Sequence, residues 1–404
     1  MNNSLNGKTL RFLNTSEPVT TLYRDLAPEL ARRGATVELL VSKAAYRAER
    51  KISEAFVNEP RIRVRRTFAG PFKTYTGAIS KLSVHFFYSL HSLLIMLFGK
   101  RVDLNIFLTQ PPLFFVLAPL IRKINGTPYV LVVMDLQPDE YVEFGFLKRD
   151  SWLTKSMDKL AKKSFVHANF IIAIGRCMAD LLTEKGVKQS NLAVIPNWTT
   201  RAEQINMAAR TNPLRIESGW LDKFIVLYGG NIGNAQNFKD LVEVANSLKQ
   251  YSRIFFVIVG GGMRAEEIST AIHDRGLTNI ILLPFLHGQY PVHTIYGAGD
   301  VNFISLREEC TGHGVPSKAY VSLVSGRPIL FQGSPDCEIA RMVNEEQIGM
   351  TVRTESELRD AVLHMYASPE VVEAMGLKAA SLVSGEYSSS NLVQRYVLAL
   401  SSAL

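Results

Sequence analysis

The sequence lacks several features that would assign it to a specialised class. Its 404 residues contain no run of about eighteen or more apolar residues, so we expect no membrane-spanning helix. The N-terminal sequence MNNSLNGKTLRF has no apolar signal-peptide core, which predicts a cytoplasmic protein. The three cysteines are scattered and lack metal-ligand spacing, which favours reduced packing residues over disulfides or a zinc site.

Acidic residues are scarce in the first half of the chain. Residues 1–200 hold 28 Lys and Arg against 16 Asp and Glu, whereas residues 201–404 hold 17 against 21. This asymmetry predicts an anionic partner for the first half: anionic lipid, a phosphorylated substrate or nucleic acid. No zinc finger or aromatic RNA-binding signature accompanies the basic residues, so we expect no nucleic-acid partner.

Short apolar runs alternate with helical patterns over most of the length, which predicts parallel sheets covered by helices. The runs lie at residues 9–14, 36–42, 104–109, 129–135, 170–174, 192–196, 224–230, 253–262, 280–285, 300–306 and 327–333. Polar residues 199–222 interrupt the alternation and predict an interdomain linker. The predicted fold is α/β, with two doubly wound, Rossmann-like domains that face each other across a cleft. We place the domains at 1–200 and 201–385, followed by a C-terminal helix, 386–404, that packs back on the first domain.

The segment HFFYSLHSLLIMLFG, residues 85–99, is apolar and aromatic, and too short to span a bilayer. The basic stretch RIRVRR, residues 61–66, and FKTYTG, residues 72–77, precede it. Two interpretations remain open. The segment is a buried helix beside a solvated run of charges, or it lies in a membrane interface with its cations on anionic lipid.

Two glycine-containing segments of the second half are candidates for phosphate binding. The apolar run FIVLYGG continues into NIGNAQNF, which places Gly229, Gly230 and Gly233 between a strand and a helix. Glycine permits close approach of a backbone to a phosphate. The second segment, residues 311–328, contains Ser317 and Lys318 before a helical pattern. The alternative for both segments is ordinary turn and cap structure.

In the first half, Asp135 and Asp139 follow an apolar run in the sequence VVMDLQPDEYVEFGFL. Either carboxylate is a candidate base or a ligand of a sugar hydroxyl. The alternative is that Asp139 only caps the helix that follows.

The order of these segments resembles that of retaining glycosyltransferases of family 4, which have the GT-B fold. The branch of closest resemblance builds bacterial exopolysaccharide and O-antigen and includes the colanic-acid fucosyltransferase and fucosamine transferase type. The resembling segments cover nearly the whole chain and are EPVTTLYRDLAPELARRGATVELLVS, TQPP, DLQPDEYVEFGFLK, IPNW, LYGGNIGNAQNF, GVPSKAYVSLVSGRPIL and EIARMV.

The resemblance implies a nucleotide-sugar donor, UDP- or GDP-linked, bound mainly by the second domain. It implies a lipid-linked saccharide acceptor on the first domain, retention of anomeric configuration and no metal cofactor. The chain also has no Asp-x-Asp motif. The implied location is peripheral, at the inner face of the cell membrane, with the basic first half on anionic lipid. The implied donor-binding residues are Gly230, Asn231, Gly233, Gln236, Phe285, Gly314, Val315, Pro316, Ser317 and Tyr320. The implied catalytic residues are Asp135, His313 and Lys318.

The chain departs from the family pattern at four positions. Asn231 and Gln236 occupy the places of an arginine and a lysine, and His313 and Val321 occupy those of two glutamates. Lys318 is then the remaining cation for the leaving diphosphate, and His313 is a candidate contact of the sugar or phosphate. Two alternatives stay open: an inactive scaffold in a membrane polysaccharide complex, and a nucleotide-sugar epimerase that uses Asp135 with Asp139.

Overall fold

The computed structural model describes residues 5–15, 21–43, 59–68, 70–71, 77–199, 211–286 and 288–404. The chain divides into two compact units. The first consists of Met1–Pro196, Gly312–Gly314 and Ser390–Leu404, and the second of Asn197–Thr311 and Val315–Ser389. The boundary between them lies at Pro196. Gly312–Gly314, which the sequence analysis placed in the second domain, are grouped with the first unit.

The first unit is built on a parallel sheet of seven strands in the order β3-β2-β1-β4-β5-β6-β7. Its strands are β1 Thr9–Leu13, β2 Thr36–Ser42, β3 Ile62–Thr67, β4 Leu104–Leu108, β5 Tyr129–Val133, β6 Phe170–Ala173 and β7 Leu192–Val194. The central strands β4 and β5 are buried along their whole length. Such continuous burial is expected of parallel strands that are covered on both faces.

Helices join the strands of the first unit. They are α1 Thr21–Arg32, α2 Ala78–Phe98, α3 Ala118–Asn125, α4 Asp139–Glu143, α5 Trp152–Val166 and α6 Arg176–Glu184. The connections through α2, α3, α5 and α6 all step across the sheet in the same direction. Because crossovers between parallel strands are right-handed, these four helices cover one face of the sheet and α1 covers the other.

The second unit has a six-stranded parallel sheet in the order β10-β9-β8-β11-β12-β13. Its strands are β8 Phe224–Asn231, β9 Ile254–Gly261, β10 Ile280–Leu283, β11 Val301–Ser305, β12 Ile329–Gln332 and β13 Gly349–Val352. Its helices are α7 Pro213–Glu217, α8 Phe238–Ser247, α9 Ala265–Asp274, α10 Val292–Gly297, α11 Lys318–Val324, α12 Glu338–Glu346, α13 Glu355–Ala367 and α14 Pro369–Ser384. Apolar clusters pack on this sheet, one of them around the buried Tyr228, Phe238 and Phe256.

Each of the eleven apolar runs predicted from the sequence overlaps a strand, and the run at residues 36–42 matches β2 residue for residue. Two edge strands were not predicted. The basic stretch 61–66 forms most of β3, and residues 349–352 form β13. Of the predicted linker 199–222, residues 200–210 lie outside the described part of the chain, as do residues 72–76 of the FKTYTG segment.

The apolar segment predicted at residues 85–99 belongs to the longer helix α2, Ala78–Phe98. The helix is therefore seven residues longer at its N-terminal end than the apolar segment identified in the sequence. Ile79–Phe98 has a mean hydropathy of 1.3 and is long and apolar enough to cross a membrane by length and composition. Buried Val84, Tyr88 and Ile95 attach the helix to the core.

The last helix, α15 Ser389–Ser402, lies almost entirely within the part of the chain grouped with the first unit. The Arg33 guanidinium donates a hydrogen bond to Gln394 Oε1, and Arg395 donates one to the carbonyl of Val194 over 2.6 Å. Buried Leu392, Tyr396 and Leu400 supply the apolar face of the helix.

Candidate functional site

The glycines at the end of strand β8 lie where side chains cannot be accommodated. A Cβ atom on Gly229 would lie 2.7 Å from the ring of Tyr296. The Tyr296 hydroxyl donates a hydrogen bond of 2.6 Å to the carbonyl of Gly229 and so fixes the strand end. Burial raises the pKa of Tyr296, so its hydroxyl remains a donor at physiological pH. The strand end is therefore a rigid turn with an open backbone.

Lys318, the first residue of α11, lies against Gly230. A Cβ atom on Gly230 would lie 2.7 Å from Lys318 Cε, and the φ angle of Gly230 is +125°. The Lys318 ammonium also lies 5.2 Å from the centroid of the Tyr228 ring, within the range of a cation–π interaction. We call Tyr228, Gly229, Gly230, Tyr296 and Lys318 the Lys318 cluster.

Among the described residues, the Lys318 ammonium forms no ion pair with an aspartate or glutamate. Burial lowers its pKa to about 8, because the charged form is desolvated without an anionic partner. A cation that is partly buried and unneutralised beside an open glycine backbone has the properties of an anion-binding site.

The loop after β8 is a compact turn. The Gly233 N–H donates to Gln236 Oε1 over 2.9 Å, and the exposed Asn231 side chain lies beside Gly233. At the neighbouring strand end, Phe285 Cε2 lies 3.3 Å from the position that a Cβ of Gly261 would take. The predicted donor residues Gly230, Asn231, Gly233 and Gln236 therefore share one turn, and Phe285 lies beside the end of β9.

Arg264 is a second cation at this loop, and the sequence analysis missed it. Its guanidinium donates to the carbonyl of Gln236 over 3.3 Å and pairs with Glu267 through contacts of 2.8 and 2.6 Å. The available signal was the sequence GGGMR, residues 260–264, in which a glycine-rich strand end precedes an arginine. Arg264 is shared with a carboxylate, so Lys318 remains the uncompensated charge of the loop.

The other predicted residues of the second loop differ in their surroundings. Ser317 is exposed and precedes α11, whereas Val315 is buried and Pro316 is half-buried. Tyr320 is 3% exposed, and its ring lies 6.0 Å from that of Tyr387. Tyr320 is therefore a packing residue of the second unit, and its predicted contact with the donor has no exposed surface in this structure.

A second group of functional side chains lies in the first unit, at the end of strand β5. The backbone N–H groups of Met134 and Asp135 lie 3.3 Å from Thr109 Oγ1, which accepts from both. The Leu136 N–H donates to the carbonyl of His313 over 2.8 Å, and Asp135 forms a β-bridge with Gly314. The structure thus brings together three residues predicted from distant parts of the sequence: Asp135, His313 and Gly314.

Glu140, which the sequence analysis did not single out, completes this group. Burial raises the pKa of Asp135 to about 6. Burial and the negative charge of Asp135 raise the pKa of Glu140 to about 8. Near neutral pH the two carboxyls together hold about one proton, so the pair offers both an acceptor and a donor. We call Thr109, Asp135, Glu140 and the backbone of His313 and Gly314 the Asp135 cluster.

Asp139 has a different role from its neighbour Glu140. Its carboxylate accepts a hydrogen bond of 2.9 Å from Lys185, which also bonds Asp158 over 2.8 Å. These bonds raise the pKa of Lys185 despite its burial. Asp139 therefore stabilises the first unit through an ion pair. The carboxyl that Asp135 influences is that of Glu140, whereas the epimerase alternative assigned this place to Asp139.

Val321, one of the four positions that depart from the resemblance noted in the sequence, packs against an apolar cluster. That cluster contains the buried Ile225, Leu227 and Ile295 of the second unit. A carboxylate in these surroundings would be desolvated without a partner, which is costly. The departure from the family pattern at this position therefore agrees with the local packing.

Comparison with known sequences identifies relatives for part of the chain. Residues 19–198 match the family described as glycosyl transferase 4-like domain. Over 254 residues the chain is 29% identical to the "Probable glycosyltransferase WbjE" of Pseudomonas aeruginosa, covering 62% of each chain. Over 283 residues it is 26% identical to the "Putative colanic acid biosynthesis glycosyl transferase WcaI" of Escherichia coli (strain K12), covering 69% of this chain and 68% of WcaI. The chain thus spans 62% of the length of WbjE.

Comparison with solved structures identifies the fold. The crystal structure of Anabaena HepE in complex with UDP superposes with a TM-score of 0.73 at 14% identity, covering 98% of this chain and 100% of HepE. The chain has the GT-B architecture of two parallel-sheet α/β domains, so the fold predicted from the sequence is confirmed.

Proposed function

We propose that the chain is a glycosyltransferase that moves a sugar from a UDP- or GDP-sugar to a lipid-linked saccharide, with retention of anomeric configuration, in the synthesis of a bacterial surface polysaccharide. The names of the two sequence relatives and the glycosyl transferase 4-like match support the activity. The observation that carries the proposal is the uncompensated ammonium of Lys318 against the bare backbone of Gly230.

In this proposal the Lys318 cluster binds the diphosphate of the donor. As the bond between the anomeric carbon and the diphosphate oxygen breaks, the electron pair stays on that oxygen. Lys318 stabilises the developing charge, and the absence of a side chain at Gly230 leaves the space in which the Lys318 side chain lies. Arg264 steadies the same loop through Gln236. Charge neutralisation is thereby assigned to protein cations, and we propose that no metal cofactor is required.

The Asp135 cluster is proposed to bind the acceptor hydroxyl. Ionised Asp135 would accept a hydrogen bond from that hydroxyl, and protonated Glu140 would donate one to a neighbouring sugar oxygen. A carboxylate whose pKa is raised toward neutrality is also a stronger general base than an ordinary aspartate. The pair therefore orients the nucleophile and takes up its proton.

The lipid-linked acceptor and the location at the inner face of the cell membrane rest on the resemblance and on the excess of cations in residues 1–200. A polysaccharide intermediate that is built on a lipid carrier must be reached at the bilayer surface. Basic residues near anionic headgroups would hold an enzyme at that surface.

Thermal unfolding with UDP, GDP, ADP or no nucleotide tests the donor site without knowledge of the acceptor. Nucleotide at about 100 times its dissociation constant stabilises a folded protein by roughly 2.7 kcal/mol. We expect UDP or GDP to raise the melting temperature and ADP to leave it unchanged. The same measurement on Lys318→Ala serves as the control, since that variant keeps the fold but loses the cation.

One alternative has a specific observation in its favour. An inactive scaffold would account for the replacement of four charged family positions by Asn231, Gln236, His313 and Val321. The two proposals make opposite predictions in the same experiment. A melting temperature that does not respond to any of the nucleotides, with and without membranes, would favour the scaffold.

A further inference from the structure

Helix α2, Ala78–Phe98, presents a stripe of large apolar side chains to solvent. Six residues, each between 44% and 82% exposed, form it: Ile79, Leu82, Phe86, Leu90, Leu94 and Phe98. They follow one another at intervals of three or four residues, which places them along one side of the helix. Single exposed apolar residues are ordinary on protein surfaces, but a continuous stripe over five turns is not.

The opposite side of α2 is part of the core of the first unit. Val84, Tyr88 and Ile95 are buried there, and the Tyr88 hydroxyl donates a hydrogen bond of 2.9 Å to the carbonyl of Leu40 in β2. A helix held in this way along the sheet cannot cross a bilayer without breaking these contacts. The hydropathy of Ile79–Phe98 therefore reflects two apolar sides, one covered by the sheet and one uncovered.

The apolar surface continues onto the neighbouring helices. Helix α3 packs between α2 and α5 on the same face of the sheet. The Asn125 side chain donates to the carbonyl of Met96 over 2.9 Å, and Arg122 donates to the carbonyl of His167 over 2.9 Å. These helices add further exposed apolar residues: Leu120, Ile124, Trp152, Leu153, Leu160 and Val166. We call the exposed sides of α2, α3 and α5 the α2 face.

Positive charge surrounds this apolar surface. The three helices together contain seven Lys and Arg residues and one acidic residue, Asp158. The carboxylate of Asp158 is engaged by Lys185, so it does not offset the lysines of its own helix. Lys100 and Arg101, both on the surface, follow directly after α2. Lys155 pairs with Asp150 over 3.5 Å, but cations still outnumber carboxylates on these helices. An apolar stripe beside an excess of cations is complementary to the acyl boundary and headgroups of an anionic bilayer.

We propose that the α2 face is the membrane-docking surface of this protein, with α2 lying parallel to the bilayer plane. The apolar stripe enters the acyl boundary, and the cations of α3 and α5 lie among anionic headgroups. The inference deepens the proposed function and rests on it for the presence of a lipid-linked acceptor. The docking itself depends only on the surface of the first unit.

Sedimentation with lipid vesicles tests the proposal. One set of vesicles contains phosphatidylcholine alone, and the other contains phosphatidylcholine and phosphatidylglycerol in equal parts. The full chain should sediment with the mixed vesicles much more than with phosphatidylcholine alone. The triple variant Leu82→Ser, Phe86→Ser, Leu90→Ser removes the centre of the stripe without touching the buried side. It should bind mixed vesicles at least about tenfold more weakly.

The matched control is a triple variant of the second unit, in which three exposed apolar residues are replaced by serine: Ile216→Ser, Met263→Ser and Leu377→Ser. It should bind vesicles like the unaltered chain. The melting temperature and its response to UDP are measured for both variants. A triple α2 variant that melts normally and still responds to UDP shows that the lost vesicle binding is a surface effect. Failure of the donor site would instead abolish the UDP response and leave vesicle binding intact.

Three results would overturn the proposal. In the first, the triple α2 variant binds mixed vesicles as well as the unaltered chain. In the second, vesicles with and without phosphatidylglycerol bind equally, which would remove the role of the cations. In the third, the unaltered chain forms a dimer in analytical ultracentrifugation that the triple variant loses, and neither binds vesicles. The stripe would then be an interface between two copies of the chain.

Discussion

The Cα of Gly230 and the side chain of Lys318 lie so close that a single methyl group would not fit between them. A Cβ on Gly230 would lie 2.7 Å from Lys318 Cε and 3.4 Å from Nζ. Gly230 at the end of β8 and Lys318 at the start of α11 are far apart in sequence but pack directly against each other. The glycine leaves room for the lysine, and the lysine supplies the charge that the open backbone lacks.

The substitution Gly230→Ala should displace the Lys318 ammonium and weaken nucleotide binding. We expect the dissociation constant for UDP or GDP, whichever binds the unaltered chain, to rise at least about tenfold, which corresponds to about 1.4 kcal/mol. Gly276→Ala is the matched control. Gly276 also has a positive φ, +58°, but no atom lies within 4 Å of the added Cβ. Both variants should lose about 1 kcal/mol of stability from backbone strain, and only Gly230→Ala should change the affinity measured by calorimetry.

Replacement of Lys318 by methionine should separate stability from function. The half-buried ammonium has no carboxylate partner among the residues that the structure describes, and its lowered pKa shows that the folded state disfavours its charged form. Lys318→Met should therefore increase the free energy of unfolding in urea while it weakens nucleotide binding. Lys249→Met, at an exposed lysine of the same unit, is the control and should change neither quantity. A less stable Lys318→Met protein would mean that the ammonium has a stabilising partner.

The affinity for the nucleotide should fall as the pH rises through the pKa of Lys318. That pKa is about 8, so the ammonium is charged at pH 7 and largely neutral at pH 10. Bound diphosphate favours the charged form and will raise the pKa in the complex. Calorimetric titrations between pH 7 and pH 10 should give a dissociation constant that increases above about pH 8. Lys318→Arg keeps its charge throughout and should show a flat profile; an equally steep profile in that variant would exclude Lys318 as the titrating group.

The strands that could be predicted from the sequence are those made mostly of apolar residues. Strand β2 has the sequence TVELLVS and was located residue for residue. Strand β3 has the sequence IRVRRT, and its arginines gave it the character of a solvated basic stretch. Charged residues on an edge strand are common because they discourage pairing with another chain. Because of these charges, β3 is not an apolar run and could not be predicted as a strand from hydrophobicity.

Candidate site residues could be predicted where a polar side chain directly follows a recognisable strand or loop. They could not be predicted where their environment depends on tertiary contacts. Asp135 and Lys318 could be named because each stands next to a recognisable strand or loop. Glu140 became a candidate only when the structure showed that its half-buried carboxyl is close enough to Asp135 for that charge to raise its pKa. The burial of Tyr320 against Tyr387 was not predicted, since nothing in its sequence surroundings indicated that contact. Burial of an individual polar side chain is a tertiary property.

Removal of the Tyr296 hydroxyl should loosen the glycine turn. The hydroxyl donates to the carbonyl of Gly229, and Phe would fill the same space without that bond. We expect Tyr296→Phe to lose about 1 kcal/mol in the free energy of unfolding and to bind nucleotide less tightly. Tyr366→Phe, in the same unit, keeps the ring contact with Phe224 and serves as the control. Equal affinities for the two variants would show that the turn holds its shape without this hydrogen bond.

The Asp135 and Glu140 pair should make the protein less stable as the pH rises from about 4.5 to about 8. Both carboxyls have folded-state pKa values above their ordinary values of 3.8 and 4.5. In this window the folded state retains protons that the unfolded state has released, so the free energy of unfolding falls as the pH increases. Glu140→Gln keeps the shape of the side chain and cannot ionise. It should therefore be more stable than the unaltered chain at pH 8 and should lose less stability across the window.

Urea unfolding at pH 5, 6, 7 and 8 measures this dependence, and Glu143→Gln is the control because Glu143 is already paired with Arg149.

Glu140→Gln should also distinguish a role of Glu140 in stability from a role in binding the acceptor. If Glu140 donates a hydrogen bond to the acceptor, Glu140→Gln retains a donor and should change KM for the acceptor and kcat only slightly. If Glu140 instead exchanges a proton during transfer, kcat should fall and lose its dependence on pH near 8. A stability profile for Glu140→Gln that parallels the unaltered chain would show that Glu140 is ionised like an ordinary surface glutamate, and both roles would then be excluded.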